Sequence, residues 1–464
     1  MIRALPPYPA YKDSGVPWLG KVPVHWEVMP VKRALRPQSC GTAAIKNTAA
    51  ATPLDGYAPA FSASGQDVWL PRASHCGSAL VLSAVGARCG KTFRADGEWG
   101  VVANTHILWP RTGQNRDFWW YVTNNEAWWD KAGAAQPFVR VSATLERSWV
   151  IPPLPEQTAI VRFLDYMDRR IRRSIRAKQK LIKLLEEYRQ ALIHQAVTGK
   201  IDVRTGKPYP AYKDSGVPWL GHVPQHWEVV KLKFISKRMQ NGSTPPTDVG
   251  EYYADQGIPW YGPSSLLEEI LIGLPVRFVT ERAILDNKVR VIQPPALVIS
   301  VIGNVGKSAL MLEQGATNQQ LTCCELDQKI CNPVFVVNQF RMAEHYLVAS
   351  ASSTTIAILD SEVLRNMPLA IPPLPEQTAI VEYLDAQTAK LDAAIAAARR
   401  EIELLREYRE RLIADVVTGK VDVRQVAAQL PEEPAEEEAG TEEEEPVADE
   451  LATVDSQEES NGEE

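Results

Sequence analysis

The stretch IPPLPEQTAIV occurs twice in this chain of 464 residues, at residues 151–161 and again at residues 371–381. A second stretch, YPAYKDSGVPWLG, fills residues 8–20 and is repeated letter for letter at residues 209–221. Each copy ends in TGKxDVR, the second one at residues 418–424. Near-identical blocks at such a long period indicate two copies of one module, related by a pseudo-twofold within a single polypeptide.

Each module begins with a lead-in rich in Pro, Gly and Trp that ends in HWEV, at residues 25–28 and 226–229. Prolines at this density exclude a helix and predict an extended segment that leads into a strand. The recurring His25 and His226 have no Ser, Cys or metal-ligand partner at a telling spacing. We therefore expect both histidines to have a packing role and not a catalytic one.

Between the repeated blocks lie two stretches, residues 32–149 and 231–369, that barely resemble each other. Both contain apolar runs such as residues 79–85 and 296–302, separated by Gly, Pro and Asn turns, which predict strands and hairpins with some helix. The expected fold class is therefore α/β (α+β). We call the repeated blocks the frame and the two divergent stretches the inserts. A constant frame that carries divergent inserts indicates one architecture with two recognition surfaces.

A long helix is predicted to start within each IPPLPEQTAIV block, near Pro155 or its counterpart Pro375, and to continue beyond the block. Apolar residues follow at spacings of three and four over about 40 residues, which is the narrow stripe of a coiled-coil seam. We expect the two helices to pack on each other in antiparallel fashion and to act as a ruler between the inserts. A fibrous or homodimeric coiled coil is the alternative. Since the N-terminus resumes the repeat where residue 424 leaves it, the order is circular and the ends of the folded body should lie close together.

The net charge of −7 hides an uneven distribution along the chain. Residues 431–464 hold 16 of the 57 acidic residues and none of the 50 basic ones, so residues 1–430 carry a charge of +9. A mildly basic body is typical of proteins that bind a polyanion. The tail is rich in Glu and has no aromatic residue, which predicts disorder. Its role would be that of a solubilising extension or, alternatively, of an internal competitor for a DNA-binding groove.

Other sequence signals are weak and mainly exclude classes of protein. The six cysteines form no CxxC pair and no Cys/His metal spacing, which favours reduced thiols and a cytoplasmic location. The start lacks a signal-peptide run, and no apolar stretch approaches the roughly 20 residues of a membrane span. We therefore expect no disulfide, no metal site and no membrane association.

The combined pattern of GVPWLGxVPxHWEV, a variable region, IPPLPEQTAIV, a long helix and TGKxDVR resembles the specificity subunit of type I restriction–modification systems. The resemblance covers residues 8–424. It implies two target recognition domains in tandem, each reading one half of a split double-stranded DNA target, joined by two conserved helices that form an antiparallel coiled coil with circular pseudo-twofold symmetry. It also implies a non-catalytic chain that docks two methyltransferase subunits and, through them, restriction (motor) subunits. S-adenosylmethionine, ATP and Mg²⁺ would belong to those partners, with no cofactor in this chain.

The predicted boundaries follow the repeats. We expect a first target recognition domain at residues 1–150, a central helix at 151–204, a second target recognition domain at 205–370, a C-terminal helix at 371–424 and a disordered acidic tail at 425–464.

Candidate DNA contacts are polar residues of the inserts, because Arg pairs with guanine edges, and Asn and Gln pair with adenine edges. In the first insert these candidates are Ser62, Ser64, Arg72, Arg88 and Asn104. In the second insert they are Lys237, Arg238, Gln240, Asn241, Ser243 and Thr244, together with Asn318, Gln319 and Gln320. Each of them is alternatively an ordinary surface residue.

Two GK pairs suggest a nucleotide-binding loop, but their spacing excludes one. A phosphate loop needs four residues between its glycines, whereas GARCGK at residues 86–91 has three and GNVGK at 303–307 has two. Their equivalent placement resembles a GxxGK turn of target recognition domains, in which Lys91 and Lys307 would touch a DNA phosphate. The NPVF at residues 332–335 is one letter from a methyltransferase motif, but no glycine-rich cofactor strand accompanies it.

Candidate partner-docking residues lie on the predicted helices. They comprise the repeated Glu-Gln pairs and an arginine run in the first helix, which is alternatively a solvated helix face or a contact to the DNA backbone. These residues are Glu156, Gln157, Arg169, Arg172, Arg173, Glu376 and Gln377. Two other functions remain open on the sequence alone, namely a solitary DNA-binding regulator of the same fold and a coiled-coil scaffold that binds no nucleic acid.

Overall fold

A computed structural model describes residues 5–40, 49–267, 269–351 and 357–431. The described residues fold into two compact units. Unit 1 comprises the residues up to Ile175 together with those from Leu404 onwards, and unit 2 comprises Arg176–Glu403. Within these described ranges, none of the helices has the length and hydrophobicity that a bilayer span requires.

The strands of unit 1 are short and numerous. They are β1 (Tyr11–Asp13), β2 (Lys21–Pro23), β3 (Glu27–Pro30), β4 (Leu35–Ser39), β5 (Ala58–Ser62), β6 (Gly65–Leu70), β7 (His75–Cys76), β8 (Ala79–Ser83), β9 (Thr92–Ala95), β10 (Glu98–Val101), β11 (Thr105–Pro110), β12 (Lys131–Ala132), β13 (Phe138–Val139) and β14 (Ser148–Ile151).

The strands of unit 2 have a similar length. They are β15 (Tyr212–Asp214), β16 (His222–Pro224), β17 (Glu228–Lys231), β18 (Ser236–Asn241), β19 (Tyr253–Ala254), β20 (Ile258–Tyr261), β21 (Arg277–Val279), β22 (Ala296–Ser300), β23 (Ser308–Met311), β24 (Ala316–Thr317), β25 (Leu321–Leu326) and β26 (Pro368–Ile371).

Two of the helices are far longer than the rest. In chain order the helices are α1 (Arg116–Thr123), α2 (Val141–Leu145), α3 (Leu154–Val197), α4 (Leu232–Ile235), α5 (Glu281–Leu285), α6 (Pro333–Met342), α7 (Glu344–Ser350), α8 (Ser361–Arg365), α9 (Leu374–Val417) and α10 (Arg424–Gln429).

Each insert enters and leaves the frame through one two-stranded antiparallel ladder. In unit 1, β3 pairs with β14, so that the HWEV strand lies beside the strand that precedes α3. In unit 2, β17 pairs with β26 in the same way, with Lys231 opposite Pro368. The insert is therefore closed at its base, where its two ends are held side by side.

The two inserts share one sheet topology although their sequences diverge. An antiparallel sheet has the order β4-β11-β8-β9 in unit 1 and β18-β25-β22-β23 in unit 2. The central strands β8 and β22 are buried throughout, which explains their continuous apolar runs. A second sheet of each insert contains one parallel pair, β5 with β10 in unit 1 and β20 with β24 in unit 2.

The long helices α3 and α9 each contain 44 residues and pair in antiparallel order within each unit. In unit 2, Glu186 bonds Arg399 at 3.0 Å, and Arg189 lies 3.4 Å from Asp392 further along α3. In unit 1, Asp168 pairs with Arg409. Apolar residues along the predicted seam are buried; among them are Leu164, Ile171, Leu192, Leu384, Ile395, Ile402 and Leu412. The expected fold class, with an antiparallel helix pair inside one chain, is confirmed.

The short helix α10 occupies positions that the sequence assigned to the disordered tail. Arg424–Gln429 is helical, and Ala427 is 2% exposed in the core of unit 1. The Arg162 guanidinium donates a 2.7 Å hydrogen bond to the carbonyl of Leu430, which holds the end of this segment. The expected start of the tail at residue 425 is therefore wrong, and the acidic segment 432–464 lies outside the described residues.

Candidate nucleic-acid interface

The three repeated motifs of unit 1 meet at the carboxylate of Glu156. Tyr8 donates to Glu156 Oε1 at 2.5 Å, and His25 Nε2 donates to Oε2 at 2.8 Å. Arg424, whose Nε lies 3.9 Å from the same carboxylate, is itself bonded to Asp422 at 2.9 Å. Glu156 is only 6% exposed, so these partners supply the hydrogen bonds that a buried carboxylate needs.

Unit 2 repeats the same arrangement around Glu376. Tyr209 donates to it at 2.6 Å and His226 at 2.8 Å, and Arg204 lies 3.7 Å away. Burial would raise the pKa of Glu376, but hydrogen bonds from the tyrosine, the histidine and Trp227 hold that pKa below its usual value. We call these two groups the junction clusters, because each ties the lead-in, the long helix and the TGKxDVR segment together.

The glutamines that follow these glutamates link α3 and α9 to the inserts. Gln157 accepts from the backbone N–H of Asn115 at 2.8 Å, and Gln377 accepts from that of Asn332 at 2.7 Å. Both asparagines cap the helix that follows them, α1 and α6 respectively, through their side chains. The NPVF sequence at residues 332–335 therefore begins a helix.

The predicted partner-docking residues fall into two groups. The four Glu and Gln side chains are 0–6% exposed and bond within the fold, so the structure gives them an internal role. Arg172 pairs with Asp168 at 2.8 Å on α3, and Arg169 is half-buried beside it, whereas Arg173 is exposed. Docking of a partner by these residues stays a prediction.

Two separate candidate clusters of the second insert form one surface. The backbone N–H of Ser243 donates to Thr317 O at 2.8 Å, and Thr244 bonds Gln319 through their side chains. Asn241 accepts from the hydroxyl of Thr322 at 2.7 Å. We call residues 241–244 and 318–320 the second-insert loop surface. Within its second loop, Asn318 donates to Gln320 at 2.9 Å, which fixes both amides.

The remaining candidates of this insert lie around that surface. The turn 301–307, which carries the half-buried Lys307, reaches it through a 2.9 Å bond from Val301 N to Gln320 O. Lys237 and Arg238 are exposed further along β18, and Gln240 is 8% exposed. Sequence reasoning missed Lys288, whose carbonyl accepts from Ser243 Oγ at 2.9 Å, because 45 residues separate the two.

In the first insert, most candidates converge at one end of the sheets. Ser62 is buried and accepts from Ser64 N at 3.0 Å, and Arg88 donates to Ser64 O at 3.4 Å. Asn104 accepts from Ala84 N at 2.9 Å, and Lys91 accepts from Ser83 N at the same distance, so both turns reach this end.

Arg72 does not join that group. It follows β6, whose antiparallel pairing with β5 carries the chain back to the opposite end of the sheet. There the exposed Arg72 lines an open cavity of about 740 Å³ together with Tyr57 and His75.

The two GK sequences form hairpin turns between equivalent strands. Gly90 N donates to Ser83 O at 2.8 Å in the turn from β8 to β9, and Gly306 N donates to Ser300 O at 3.0 Å in the turn from β22 to β23. These backbone N–H groups are used by the turn and do not wrap a phosphate.

The structure thus consists of a duplicated frame that carries two unlike inserts of one topology. Comparison with known proteins relates this architecture to a known family. Residues 224–404 match the family described as "Type I restriction modification DNA specificity domain". The chain is thus similar to type I restriction–modification specificity subunits, and the resemblance stated from the sequence is confirmed.

Several Escherichia coli proteins are similar to this chain. The EcoBI specificity subunit is 27% identical over 28% of this chain and 27% of its own length, and the EcoR124I/EcoR124II specificity subunit is 23% identical over 51% and 58%. The EcoDI specificity subunit is 20% identical over 87% of this chain and 90% of its own length. The match thus spans about a quarter to three-fifths of the first two relatives.

Solved structures share the fold. One comes from work on complex assembly and conformational transition of the type I R-M system, with a TM-score of 0.64, 16% identity and coverage of 86% of this chain and 99% of the other. The HsdS subunit from Thermoanaerobacter tengcongensis gives a TM-score of 0.51, also at 16% identity, over 86% of this chain and 98% of its own.

Proposed function

We propose that this chain is the DNA sequence-recognition subunit of a type I restriction–modification complex. Each insert would read one half of a bipartite duplex target. The observation that carries the proposal is the pairing of constant and variable parts. The tyrosine, histidine and arginine partners of the junction clusters recur in both units, with hydrogen bonds of 2.8 Å from His25 and His226, whereas the loops at the ends of the insert sheets differ in sequence.

Affinity and sequence choice would come from different parts of the molecule. The basic body, with a charge of +9 over residues 1–430, would neutralise phosphates and release counterions, so binding should weaken steeply with salt. Base choice would come from Arg, Asn, Gln and Ser side chains of the inserts, because these residue types present distinct donors and acceptors to base edges. Two unlike inserts therefore predict an asymmetric target with two different halves.

The rest of the reaction would belong to partner subunits. Each copy of the frame would present one docking surface, so that the chain would hold two methyltransferase subunits and, through them, restriction subunits. Exposed arginines of α3 such as Arg173 are the candidates for this contact. S-adenosylmethionine, ATP and Mg²⁺ would bind to those partners. The chain would then act as a non-catalytic cytoplasmic component.

The test is a comparison of adenine methylation across the source genome with the gene intact and deleted, read by single-molecule sequencing. We expect one bipartite N6-methyladenine motif with unlike halves to disappear on deletion. Loss of a palindromic motif would contradict the assignment of one insert to each half. An unchanged methylome would contradict the proposal and favour a solitary DNA-binding regulator. A separate measurement of binding to duplex DNA at increasing salt distinguishes the scaffold, which would show no salt-dependent binding.

A further inference from the structure

The first strand of each insert lies at the same place in the fold. β4 and β18 are the edge strands of the equivalent antiparallel sheets. Gln38 lies opposite Ile107, which in turn lies opposite Val81, the third residue of β8. Gln240 lies opposite Cys323, which lies opposite Val298, the third residue of β22. Gln38 and Gln240 therefore occupy equivalent positions in the two inserts.

This register exposes a shared pattern. The edge strand reads RPQS at residues 36–39 in the first insert and RMQN at residues 238–241 in the second. An arginine precedes the glutamine by two positions in both, which places the two side chains on the same face of the strand. The pattern recurs inside stretches that otherwise barely resemble each other.

A register shift in β18 hides this pattern from sequence comparison. The repeated lead-ins are offset by 201 positions, as Trp26 and Trp227 show, and this offset aligns Gln38 with Met239. The irregularity between Ser236 and Arg238 absorbs one extra residue. Beyond it, the strands return to equivalent positions with the glutamines aligned.

The amide of Gln38 is held in one orientation at the surface. Trp109 Nε1 donates to Gln38 Oε1 at 2.9 Å, and Gln38 Nε2 donates to His75 at 3.3 Å. His75 is itself stacked on Trp99, with ring centroids 5.0 Å apart, and bonds Ser74 at 2.8 Å. One N–H and one lone pair of the Gln38 amide stay available, which is the pair that recognises an adenine edge.

The amide of Gln240 is fixed on one side and unsatisfied on the other. Its Nε2 donates to Val291 O at 3.2 Å. Its Oε1 is buried and has no hydrogen-bond partner among the described residues, although the side chain is 8% exposed. Gln240 lies in register with Cys323 and Val298, which are fully buried, so its amide faces the core of the insert and is out of reach of DNA. Arg238, two positions earlier on β18, is exposed.

We propose that β4 and β18 are the base-reading strands of the two inserts, an assignment that rests on the proposed function. Arg36 and Gln38 act in one half of the target, through bidentate contacts to base edges in a DNA groove. Arg238, at the position equivalent to Arg36, acts in the same way in the other half. Edge strands are suited to this task because one side of the backbone is free of sheet neighbours, and strands are known to read DNA grooves.

The experiment selects binding sites from a random-sequence duplex DNA library with the complex of this chain and its methyltransferase subunits, followed by sequencing. The variants are Arg36→Lys and Gln38→Met in one insert, and Arg238→Lys in the other. The lysine variants keep the charge for phosphate contacts but lose the fork that binds guanine in bidentate fashion. Arg33→Ala is the matched control, since Arg33 is exposed just before β4 and outside the proposed set.

We expect each variant to relax base preference in one half of the recovered motif and to leave the other half intact. The preference at the affected position should fall roughly tenfold or more, as for the loss of a bidentate pair. If the wild-type complex recovers no motif, the proposed function fails and this assignment fails with it. If the wild type recovers a motif that all three variants also recover, or if the variants weaken binding to all sequences equally, the assignment alone is overturned. Thermal unfolding of each variant separates a folding defect from a binding defect.

Discussion

The backbone N–H of Asp422 donates a 2.7 Å hydrogen bond to the carbonyl of Pro6, near the other end of the described chain. In unit 2 the equivalent Asp202 donates to Lys207 at 2.8 Å, but there the two residues belong to one continuous turn. In unit 1 the equivalent turn is therefore held by a hydrogen bond between two distant parts of the chain, whereas in unit 2 the turn is covalently continuous. The ends of the folded body lie side by side, as the circular order of the repeat predicts.

A circularly permuted chain should therefore fold. A flexible Gly/Ser linker of about ten residues from Pro431 to Leu5 joins the two ends and keeps α10. New termini can be placed between Thr205 and Gly206, where Gly206 is exposed. We expect the permutant to unfold cooperatively and to bind the same DNA as the parent. The matched control places the new termini between Val298 and Ile299, inside the buried strand β22, and should not fold. Aggregation of the first permutant would contradict the circular frame.

The junction cluster of unit 2 predicts a pH-dependent contribution to stability. The folded pKa of Glu376 lies below its usual value of 4.5, because donors from Tyr209, His226 and Trp227 outweigh burial. A carboxyl of this kind stabilises the fold above its unfolded pKa, and that contribution is lost as the pH falls through its folded pKa.

Glu376→Gln should destabilise the protein at neutral pH by about 2–4 kcal/mol, because the new amide N–H groups face donors. The difference from wild type should shrink as the pH falls below about 4. Thermal unfolding between pH 3 and pH 7 measures this, with Glu382→Gln as the control, since Glu382 is exposed on the same helix. A deficit that does not change with pH would contradict this role of the carboxylate.

The glycine of each TGKxDVR segment is expected to tolerate no side chain. Gly199 and Gly419 have φ values of +72° and +75°, and a Cβ on either would meet the ring of Pro224 or Pro23. Alanine at Gly199 or Gly419 should cost about 1–2 kcal/mol for the left-handed backbone and about 1–3 kcal/mol more for the overlap.

Gly206→Ala is the control for this effect. Gly206 has a φ of +70°, but a Cβ added there would have no atom within 4 Å, so only the backbone cost should appear. Denaturant unfolding compares the free energies of unfolding of the three variants. Equal losses of unfolding free energy in all three variants would show that the proline rings move aside without cost, which would contradict the predicted overlap.

The sequence predicts those parts of the fold that depend on local periodicity. The seam of α3 and α9 is visible because residues such as Ile395 and Ile402 recur at helical spacing, and the frame is visible because it is repeated. The shared topology of the inserts is not visible, because strand order depends on pairings between distant segments. One extra residue in β18 is enough to hide the match between Gln38 and Gln240.

The candidate interface is predictable only in part for the same physical reason. Residues 241–244 and 318–320 each look polar in the sequence, but their contact through Ser243 and Thr317 is a tertiary pairing that no local pattern reveals. The internal bonds of Glu156 and Glu376 are equally hidden, because their partners Tyr8 and Tyr209 lie 148 and 167 residues away. The helix α10 escapes prediction because acidic composition dominates the segment that follows it.

Exchange of one insert tests the central claim most directly. Lys231 and Pro368 lie opposite each other in the ladder of β17 and β26, so residues 231–369 can be replaced by the insert of a relative with both junctions in one two-stranded element. The measurement is the N6-methyladenine motif made in cells by the exchanged protein and its methyltransferase partner. The account predicts that one half of the motif changes and the other half stays the same. A change in both halves, or in neither, would contradict the assignment of one insert to each half of the target.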